Sequence, residues 1–150
     1  MKDTIIFDID GTLADHTARL PLILEKRPAD WMGFYAAIPN DTPIEPVCKM
    51  LTMLLKAGAA DIVLCTGRPE STRSDTVAWF ERCLPEAAGL RLFMRGDKDY
   101  RSDTTVKLEM LETLRNEGRR ILFAVDDRKS VVTMWREAGV LCLQCRDEES

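Results

Sequence analysis

Five short apolar runs recur along the chain and alternate with longer stretches that carry hydrophobic residues at helical spacing. The runs lie near residues 4–9, 61–65, 90–94, 121–125 and 140–144. Each is short enough and apolar enough to be a buried strand. The stretches between them are too long for hairpins and suit helical crossovers. The pattern therefore predicts an α/β protein, a three-layer α/β/α sandwich with a five-stranded parallel sheet.

Polar residues follow three of these runs at the point where each predicted strand ends. They are Asp8–Thr12, Thr66–Arg68 and Asp126–Arg128, while Lys107 is predicted to lie at the start of a helix. Ligand sites of α/β proteins lie at the carboxyl ends of the strands, so we expect these side chains to meet. Two carboxylate pairs, a hydroxyl group and a lysine are typical of magnesium-dependent phosphoryl transfer. The alternative for the first segment is an ordinary Asp-Gly turn.

Length and charge restrict the classes of function. The 150 residues suit one domain, residues 1–150, and have a formal net charge of −4. Proteins that coat nucleic acids need a broad basic surface, whereas an enzyme that contacts only a terminus needs much less positive charge. No apolar run approaches the roughly 20 residues that span a bilayer, and no signal-peptide pattern is present. We therefore expect a cytoplasmic protein without a membrane partner.

The cysteines are five in number and lie in apolar surroundings. An odd, scattered set is poor material for disulfides and fits a reducing compartment, where these residues act as small buried hydrophobic groups. Cys142 and Cys145 have the spacing of a redox pair, but such pairs precede a helix, whereas these lie in the last predicted strand. A redox or zinc function is therefore not expected.

The order and spacing of the polar segments resemble the four motifs of the haloacid dehalogenase superfamily of aspartate-nucleophile phosphatases. The matching segments are Asp8–Thr12, Thr66–Arg68, Lys107 and Asp126–Asp127. Residues 66–73, 103–107 and 125–136 are similar to the phosphatase domains of phage polynucleotide kinase/phosphatases, as are Trp31, Phe34, Tyr35 and residues 41–46. The resemblance implies a Rossmann-like sheet with the strand order 5-4-1-2-3, which joins the ends of strands 1, 2 and 4.

The resemblance also implies a role for each candidate residue. Asp8 would attack phosphorus, Asp10 would act as general acid and base, and Lys107 would stabilise the transition state. A Mg²⁺ cofactor would be held directly by the carboxylates of Asp8 and Asp126 and through its outer shell by Asp127, and a main-chain carbonyl group of Ile9 or Asp10 would complete the set. The substrate phosphate would be bound by Thr66, Gly67, Arg68, Arg19 and Asp103.

Two polar residues have a plainer interpretation as well. Asp103 is also suited to capping a helix that starts near Thr104, since its side chain can accept a hydrogen bond from a backbone amide. His16, the only histidine, is expected to be a solvent-facing loop residue.

The one insertion spans residues 14–42, where relatives carry a cap over the active site. About thirty residues can hold one or two short helices, so this small cap would leave the site open to a bulky substrate. Trp31, Phe34, Tyr35 and Ile38 have helical spacing, which is typical of a face that packs on the core. Stacking of an exposed aromatic ring on a base or sugar is the alternative.

The sequence and the resemblance together predict a hydrolase, a Mg²⁺-dependent phosphatase that removes 3′-phosphates from DNA or RNA ends. A nucleotidase or small-molecule phosphatase is the enzymatic alternative, and a non-catalytic phosphate-binding module is the alternative of another class. No Gly-x-x-x-x-Gly-Lys-Ser/Thr loop of a kinase is present, so we expect a phosphatase unit alone. This leaves room for a separate kinase or ligase partner, and no residue pattern indicates an oligomeric state.

Overall fold

The computed structural model of the protein describes residues 2–147, which form seven strands and six α-helices. The strands are β1 Lys2–Phe7, β2 Ala14–Asp15, β3 Thr42–Pro43, β4 Asp61–Pro69, β5 Arg91–Arg95, β6 Arg119–Asp126 and β7 Cys142–Gln144. The helices are α1 Pro21–Leu24, α2 Trp31–Ala36, α3 Glu45–Ala57, α4 Arg73–Cys83, α5 Asp103–Asn116 and α6 Lys129–Glu137.

Five strands form one parallel sheet in the order β5-β4-β1-β6-β7. Numbered by the five sheet strands alone, this is the predicted order 5-4-1-2-3 read from the other edge, and the prediction is confirmed. In the central strand, Phe7 lies opposite Leu64 of β4 and Val125 of β6. The carboxyl ends of these three strands therefore lie side by side.

The core lies on both faces of the sheet because adjacent residues of a strand point to opposite sides. Ile5 and Phe7 of β1 belong to the cluster that packs against α3 and α4. Ile6 belongs to the cluster that packs against α5 and α6. The predicted three-layer sandwich is thus confirmed. Within residues 2–147, no helix combines the length and hydrophobicity that a membrane crossing requires.

The ends of two strands differ from the prediction. β1 ends at Phe7 rather than at residue 9, because the amides of Leu13 and Ala14 both donate to the carbonyl oxygen of Ile9 and close a tight loop. β4 continues past residue 65 to Pro69, which pairs with Arg95 of β5 after a shift in register. The Thr66–Arg68 segment is therefore part of a strand and not of a flexible loop.

The insertion, residues 14–42, carries two short α-helices, α1 and α2, and the 3₁₀ turns Thr17–Arg19 and Ile38–Asn40. Its two ends are joined because β2 pairs antiparallel with β3, with Ala14 opposite Pro43. Phe34 and Ile38 of its aromatic face are buried, as expected for packing. Trp31 remains about half exposed, so the four residues of that face do not share one environment.

Candidate active site

Three carboxylates meet where β1 and β6 end, and Asp8, Asp126 and Asp127 form what we call the acidic cluster. One carboxylate oxygen from each of the three residues lies within 4.8 Å of the other two. Gly11, with φ of +81°, makes this approach possible, since a Cβ atom there would lie 2.0 Å from Oδ2 of Asp127. The tight turn after β1 therefore requires glycine for a steric as well as a conformational reason.

The acidic cluster carries more negative charge than its surroundings neutralise. Burial and the neighbouring Asp126 carboxylate raise the pKa of Asp8 well above its usual range. Burial and Asp126 also raise the pKa of Asp127. Hard oxygen ligands under mutual repulsion are suited to a divalent cation such as Mg²⁺, which would relieve that repulsion. The cluster thus brings together the three carboxylates that were expected to hold the cofactor.

Lys107 supplies a cation within the acidic cluster. Its Nζ atom donates to Oδ1 of Asp8 at 2.7 Å and to Oδ2 of Asp126 at 2.9 Å. Burial alone would lower the pKa of Lys107, but Asp126 and Asp8 outweigh burial and hold that pKa above its usual value. Lys107 is therefore charged. Lys107 is the fifth residue of α5, about one turn after the start of the helix, where it was predicted to lie.

The carboxylate of Asp8 is held at both oxygens. Lys107 donates to one oxygen, and the hydroxyl group of Thr12 donates to the other at 3.1 Å. The amide of Asp8 donates to the carbonyl oxygen of Val125 in β6 at 3.0 Å. Such contacts fix the direction in which an attacking oxygen can point, as nucleophilic catalysis requires.

Asp10 lies apart from the acidic cluster and is bound by two arginines. Its Oδ1 atom accepts from Nη2 of Arg68 at 2.6 Å and from Nη2 of Arg19 at 2.8 Å. Burial alone would raise the pKa of Asp10, but Arg68 and Arg19 outweigh burial and hold it well below its usual range. The arginines occupy the carboxylate of Asp10, so it is not free to bind a metal in this structure. Only its main-chain carbonyl group remains for that role.

Asp41 is a functional residue that the sequence analysis did not single out. It is buried and accepts from Nε and Nη2 of Arg19, both at 2.9 Å, and from Nη2 of Arg68 at 3.3 Å. Its own carbonyl oxygen accepts from Nε1 of Trp79 in α4 at 2.8 Å. Two arginines and two carboxylates thus form one network, which we call the arginine network and which is buried except at Asp10: Asp10, Asp41, Arg19 and Arg68. The one feature of the sequence that could have indicated Asp41 is its position in residues 41–46, the segment that resembles polynucleotide phosphatases.

Arg19 was predicted to bind the substrate phosphate, but the structure does not bring it to the cavity wall. Its side chain is buried under Asp10, and its guanidinium group lies 4.3 Å from the ring centre of Phe34. All of its strong contacts are with the two carboxylates of the arginine network. Arg19 therefore acts on Asp10 and not on a ligand in this arrangement.

The segment Thr66–Arg68 lies against α5. Oγ1 of Thr66 accepts from the amide of Arg68 at 3.1 Å, which shapes the end of β4. Gly67 allows a close approach, because a Cβ atom there would lie 2.5 Å from Oδ1 of Asp103. Asp103 itself accepts from Arg95 and Arg128.

The capping interpretation of Asp103 is wrong. α5 begins at Asp103, and the preceding Ser102 is its cap, accepting a hydrogen bond from the amide of Thr105 at 3.3 Å. The side chain of Asp103 is thereby left to pair with arginines at the edge of the site.

One cavity of about 1100 Å³ contains most of the predicted site. The predicted residues that line it are Asp8, Asp10, Thr66, Gly67, Arg68, Asp103, Lys107, Asp126 and Asp127. Side chains of the insertion and of the loop before α5 complete its walls. The sequence prediction thus brought these nine residues to one place, and Arg19 is the one that lies behind the wall.

His16 also lines this cavity and is not the solvent-facing residue that was expected. Its Nδ1 atom is buried and has no hydrogen-bond partner within the described residues. Burial lowers the pKa of His16, so the ring is neutral near pH 7. A polar atom in this state is available to a bound molecule.

Comparison with known proteins gives a consistent result. A model of the family described as the polynucleotide kinase PNKP phosphatase domain matches residues 2–149. The chain is similar to a chain in the structure of the Pnkp1/Rnl/Hen1 RNA repair complex, with 26% identity and a TM-score of 0.81 over 100% of this chain and 44% of that one. A second Pnkp1/Rnl/Hen1 structure matches at 27% identity and a TM-score of 0.80, over 100% and 48%. This chain therefore spans less than half the length of those chains.

More distant structures share the fold. The class C acid phosphatase from Bacillus anthracis with tungstate bound has 16% identity and a TM-score of 0.66, over 92% of this chain and 62% of that one. A haloacid dehalogenase-like hydrolase, SP0104 from Streptococcus pneumoniae, has 14% identity and a TM-score of 0.67, over 94% and 83%. At these identities the likeness concerns the fold alone, and it confirms the predicted fold.

Proposed function

This chain belongs to the family of polynucleotide kinase PNKP phosphatase domains, and from that premise we propose that it is a Mg²⁺-dependent enzyme that forms an aspartyl-phosphate and removes 3′-phosphates from DNA or RNA ends. Membership of the family makes the chain a phosphatase. The metal, the intermediate and the substrate are the proposal. The observation that carries it is the meeting of Asp8, Lys107 and the acidic cluster in one cavity with Asp10.

The metal would be held by the acidic cluster and a main-chain carbonyl group of residue 9 or 10. When bound there, Mg²⁺ would cancel the repulsion between the Asp8 carboxylate and a phosphate dianion. The support is chemical, since the cluster offers three oxygens to a hard cation. Burial, and after it the neighbouring Asp126 carboxylate, raise the pKa values of Asp8 and Asp127, and a bound cation would oppose both effects.

Asp8 would act as the nucleophile. One of its carboxylate oxygens forms a bond to phosphorus while the bond from phosphorus to the sugar oxygen breaks. The leaving oxygen takes a proton from Asp10, since an alkoxide is a poor leaving group without one. The oxygen of a water molecule then bonds to phosphorus while the bond from phosphorus to the Asp8 oxygen breaks, Asp10 takes the proton of that water, and inorganic phosphate leaves the restored Asp8 carboxylate. Lys107 and the hydroxyl of Thr66 stabilise the charge that builds on the phosphoryl oxygens.

Asp10 can donate a proton only if its pairing with Arg68 weakens. Arg68 is within reach of the cavity, and a guanidinium group can bind two oxygens of a phosphate. A bound phosphate dianion would therefore compete with Asp10 for Arg68, and loss of that pairing raises the pKa of Asp10. In this proposal, binding of the substrate prepares the general acid, while Asp41 keeps its contact with Arg19.

Two observations favour a nucleic-acid end as the substrate. A cavity of about 1100 Å³ greatly exceeds what a phosphate group fills and admits at least a nucleotide. The similar Pnkp1 chain belongs to an RNA repair complex with Rnl and Hen1. By analogy we propose that a separate kinase or ligase acts on the ends that this chain dephosphorylates.

The test is a substrate panel with Mg²⁺, in which kcat/KM is measured for matched phosphorylated oligonucleotides, mononucleotides and an aryl phosphate. We expect the 3′-phosphorylated oligonucleotide to be preferred over its 5′-phosphorylated counterpart, and Asp8→Asn and excess chelator each to abolish release of phosphate. A preference for mononucleotides would make the chain a nucleotidase. No hydrolysis of any substrate would leave a phosphate-binding module.

A further inference from the structure

Two exposed aromatic side chains lie at the same cavity as the reactive groups. Trp31 of α2 is 51% exposed and Tyr100, in the loop between β5 and α5, is 89% exposed, and both line the cavity. The other eight aromatic residues of the chain, which all fall within residues 2–147, are buried or partly buried. Exposed aromatic rings are thus confined to the place where a substrate would enter.

Packing within the protein does not account for either ring. Trp31 rests against Phe34 at 5.7 Å and Tyr35 at 5.9 Å between ring centres, which fixes its orientation while half of its surface stays in solvent. Tyr100 contacts no other aromatic ring among residues 2–147. Large exposed apolar surfaces at a cavity are typical of ligand contacts.

Three arginines at the rim of the cavity, Arg95, Arg101 and Arg128, are paired with acidic side chains of the protein and so are less available to bind a ligand. Arg101 pairs with Asp99 at 2.7 Å and with Glu109 at 2.6 Å. Arg95 and Arg128 both pair with Asp103. The rim therefore offers little uncompensated positive charge to further phosphate groups. The flat, uncharged surfaces of two aromatic rings are exposed beside these paired arginines.

We propose that Trp31 and Tyr100, which we call the aromatic mouth, stack on the last bases of an unpaired nucleic-acid end and so deliver its 3′-phosphate to Asp8. Every base has a face that an aromatic ring can stack on, so this contact is tolerant of sequence. A duplex end offers only the outer face of its last base pair, whereas an unpaired end can present successive bases to the two rings. This inference rests on the proposed function and specifies its substrate as a single-stranded terminus.

The first experiment compares two single-stranded, 3′-phosphorylated oligonucleotides, one intact and one that lacks the bases of its last two residues. For the wild-type protein we expect kcat/KM to fall by about 5- to 100-fold when the bases are removed, as for the loss of base–aromatic stacking. In Tyr100→Ala and Trp31→Leu this ratio should shrink towards one, and Trp31→Phe should restore part of it. Tyr100→Ala is the safer variant for folding because the side chain is so exposed.

Met32→Ala is the matched control. Met32 follows Trp31 in α2 and is 85% exposed, yet it does not line the cavity. The variant should keep the wild-type ratio. An equal loss in Met32→Ala would show that damage to α2, and not loss of stacking, explains the Trp31 variants.

A second readout is independent of catalysis. Trp79 and Trp135 are 0% and 1% exposed, so quenching of tryptophan fluorescence by a bound base reports on Trp31. An unphosphorylated single-stranded oligonucleotide should quench this emission in the wild-type protein, and the oligonucleotide without terminal bases should quench it less.

The two proposals can fail separately. If 3′-phosphorylated oligonucleotides are hydrolysed but the variants keep the wild-type ratio, or blunt duplex ends are the better substrates, the aromatic mouth is overturned and the proposed function stands. If no 3′-phosphorylated oligonucleotide is hydrolysed by the wild-type protein, the proposed function fails, and the inference that rests on it fails as well.

Discussion

The two arginines that bind Asp10 are also held by a carboxylate that does not line the cavity. Arg19 and Arg68 both bind Asp10, and both are also bound by the buried Asp41. The arginine network therefore balances two positive charges with two negative ones. Without Asp41, Asp10 would be the one anion of this network left to pair with Arg19 and Arg68. Arg68 would then be held more strongly by Asp10 and would be less free to bind a phosphate group.

We expect Asp41→Asn to lower both stability and activity. Removing one partner of a buried ion pair lowers the unfolding free energy by about 3–5 kcal/mol. The asparagine side chain has the same shape as aspartate, so the loss in Asp41→Asn should not exceed this range. kcat should fall more than KM rises, because proton transfer by Asp10 is affected more than binding. Denaturant unfolding and steady-state kinetics check the two effects.

Glu25→Gln is the control for Asp41→Asn, since Glu25 is an exposed acid of the same insertion. It should change neither quantity. Unaltered kcat in Asp41→Asn, with the protein folded, would mean that Asp41 has no part in positioning the arginines.

Residues that carry a local motif were predictable, and residues that act through distant partners were not. Asp8, Lys107 and Asp126 stand at strand ends or in a helical pattern that the sequence displays. Asp41 stands 22 residues from Arg19 and 27 from Arg68, and nothing local indicates these pairings. For the same reason Arg19 could be expected near the site but not behind Asp10.

At the scale of elements, the site depends on the placement of α5 across the ends of β4 and β6. Val106 and Met110 of α5 are buried in the core, and this packing carries Lys107 to the acidic cluster. The helix begins at a defined residue because Ser102 accepts a hydrogen bond from the amide of Thr105. The start of α5 thus sets the position of Asp103 and Lys107.

We expect Ser102→Ala to lower the unfolding free energy by about 1 kcal/mol, the usual cost of losing a helix cap. Urea titration with a constant m-value measures this loss. Ser130→Ala, an exposed serine within α6, is the control and should change stability by less than about 0.5 kcal/mol. If Ser102→Ala has no effect, Ser102 is not the cap on which the start of α5 depends.

The elements themselves were largely predictable. Each sheet strand is an apolar run because helices cover both faces of the sheet, and this burial is visible in the sequence as continuous hydrophobicity. The residues at which the strands end were harder to predict. β4 extends to Pro69 because of a pairing with Arg95, and a pairing between distant segments leaves no local signal.

At the scale of the whole molecule, the acidic cluster links stability to pH and to the proposed metal. Burial and the neighbouring Asp126 carboxylate raise the pKa values of Asp8 and Asp127 in the folded protein above their ordinary range. The metal-free fold therefore gains stability from these groups when they are protonated at low pH, and loses that contribution as pH rises through the raised pKa values. Binding of a cation needs the ionised groups, so it should offset this loss.

We therefore expect the increase in Tm on adding Mg²⁺ to grow as pH rises from about 4 to 7. At roughly 100 times the dissociation constant, binding adds about 2.7 kcal/mol, or roughly 5–10 °C in Tm for a chain of this size. Thermal unfolding with and without Mg²⁺ over this pH range measures the effect. Asp126→Asn should remove it and Glu112→Gln, an exposed acid of α5, should keep it. A shift that is independent of pH would contradict binding at the acidic cluster.

The central claim is that Asp8 carries the phosphoryl group during turnover of a 3′-phosphorylated end. The most direct measurement mixes the protein with Mg²⁺ and a 3′-phosphorylated oligonucleotide, quenches the reaction before turnover is complete, and reduces the protein with borohydride. Borohydride converts an aspartyl-phosphate to homoserine, which mass spectrometry of the peptide locates. We predict homoserine at position 8 and none in a sample without substrate. Release of phosphate with Asp8 unmodified, or a phosphoryl group found on another residue, would contradict the account.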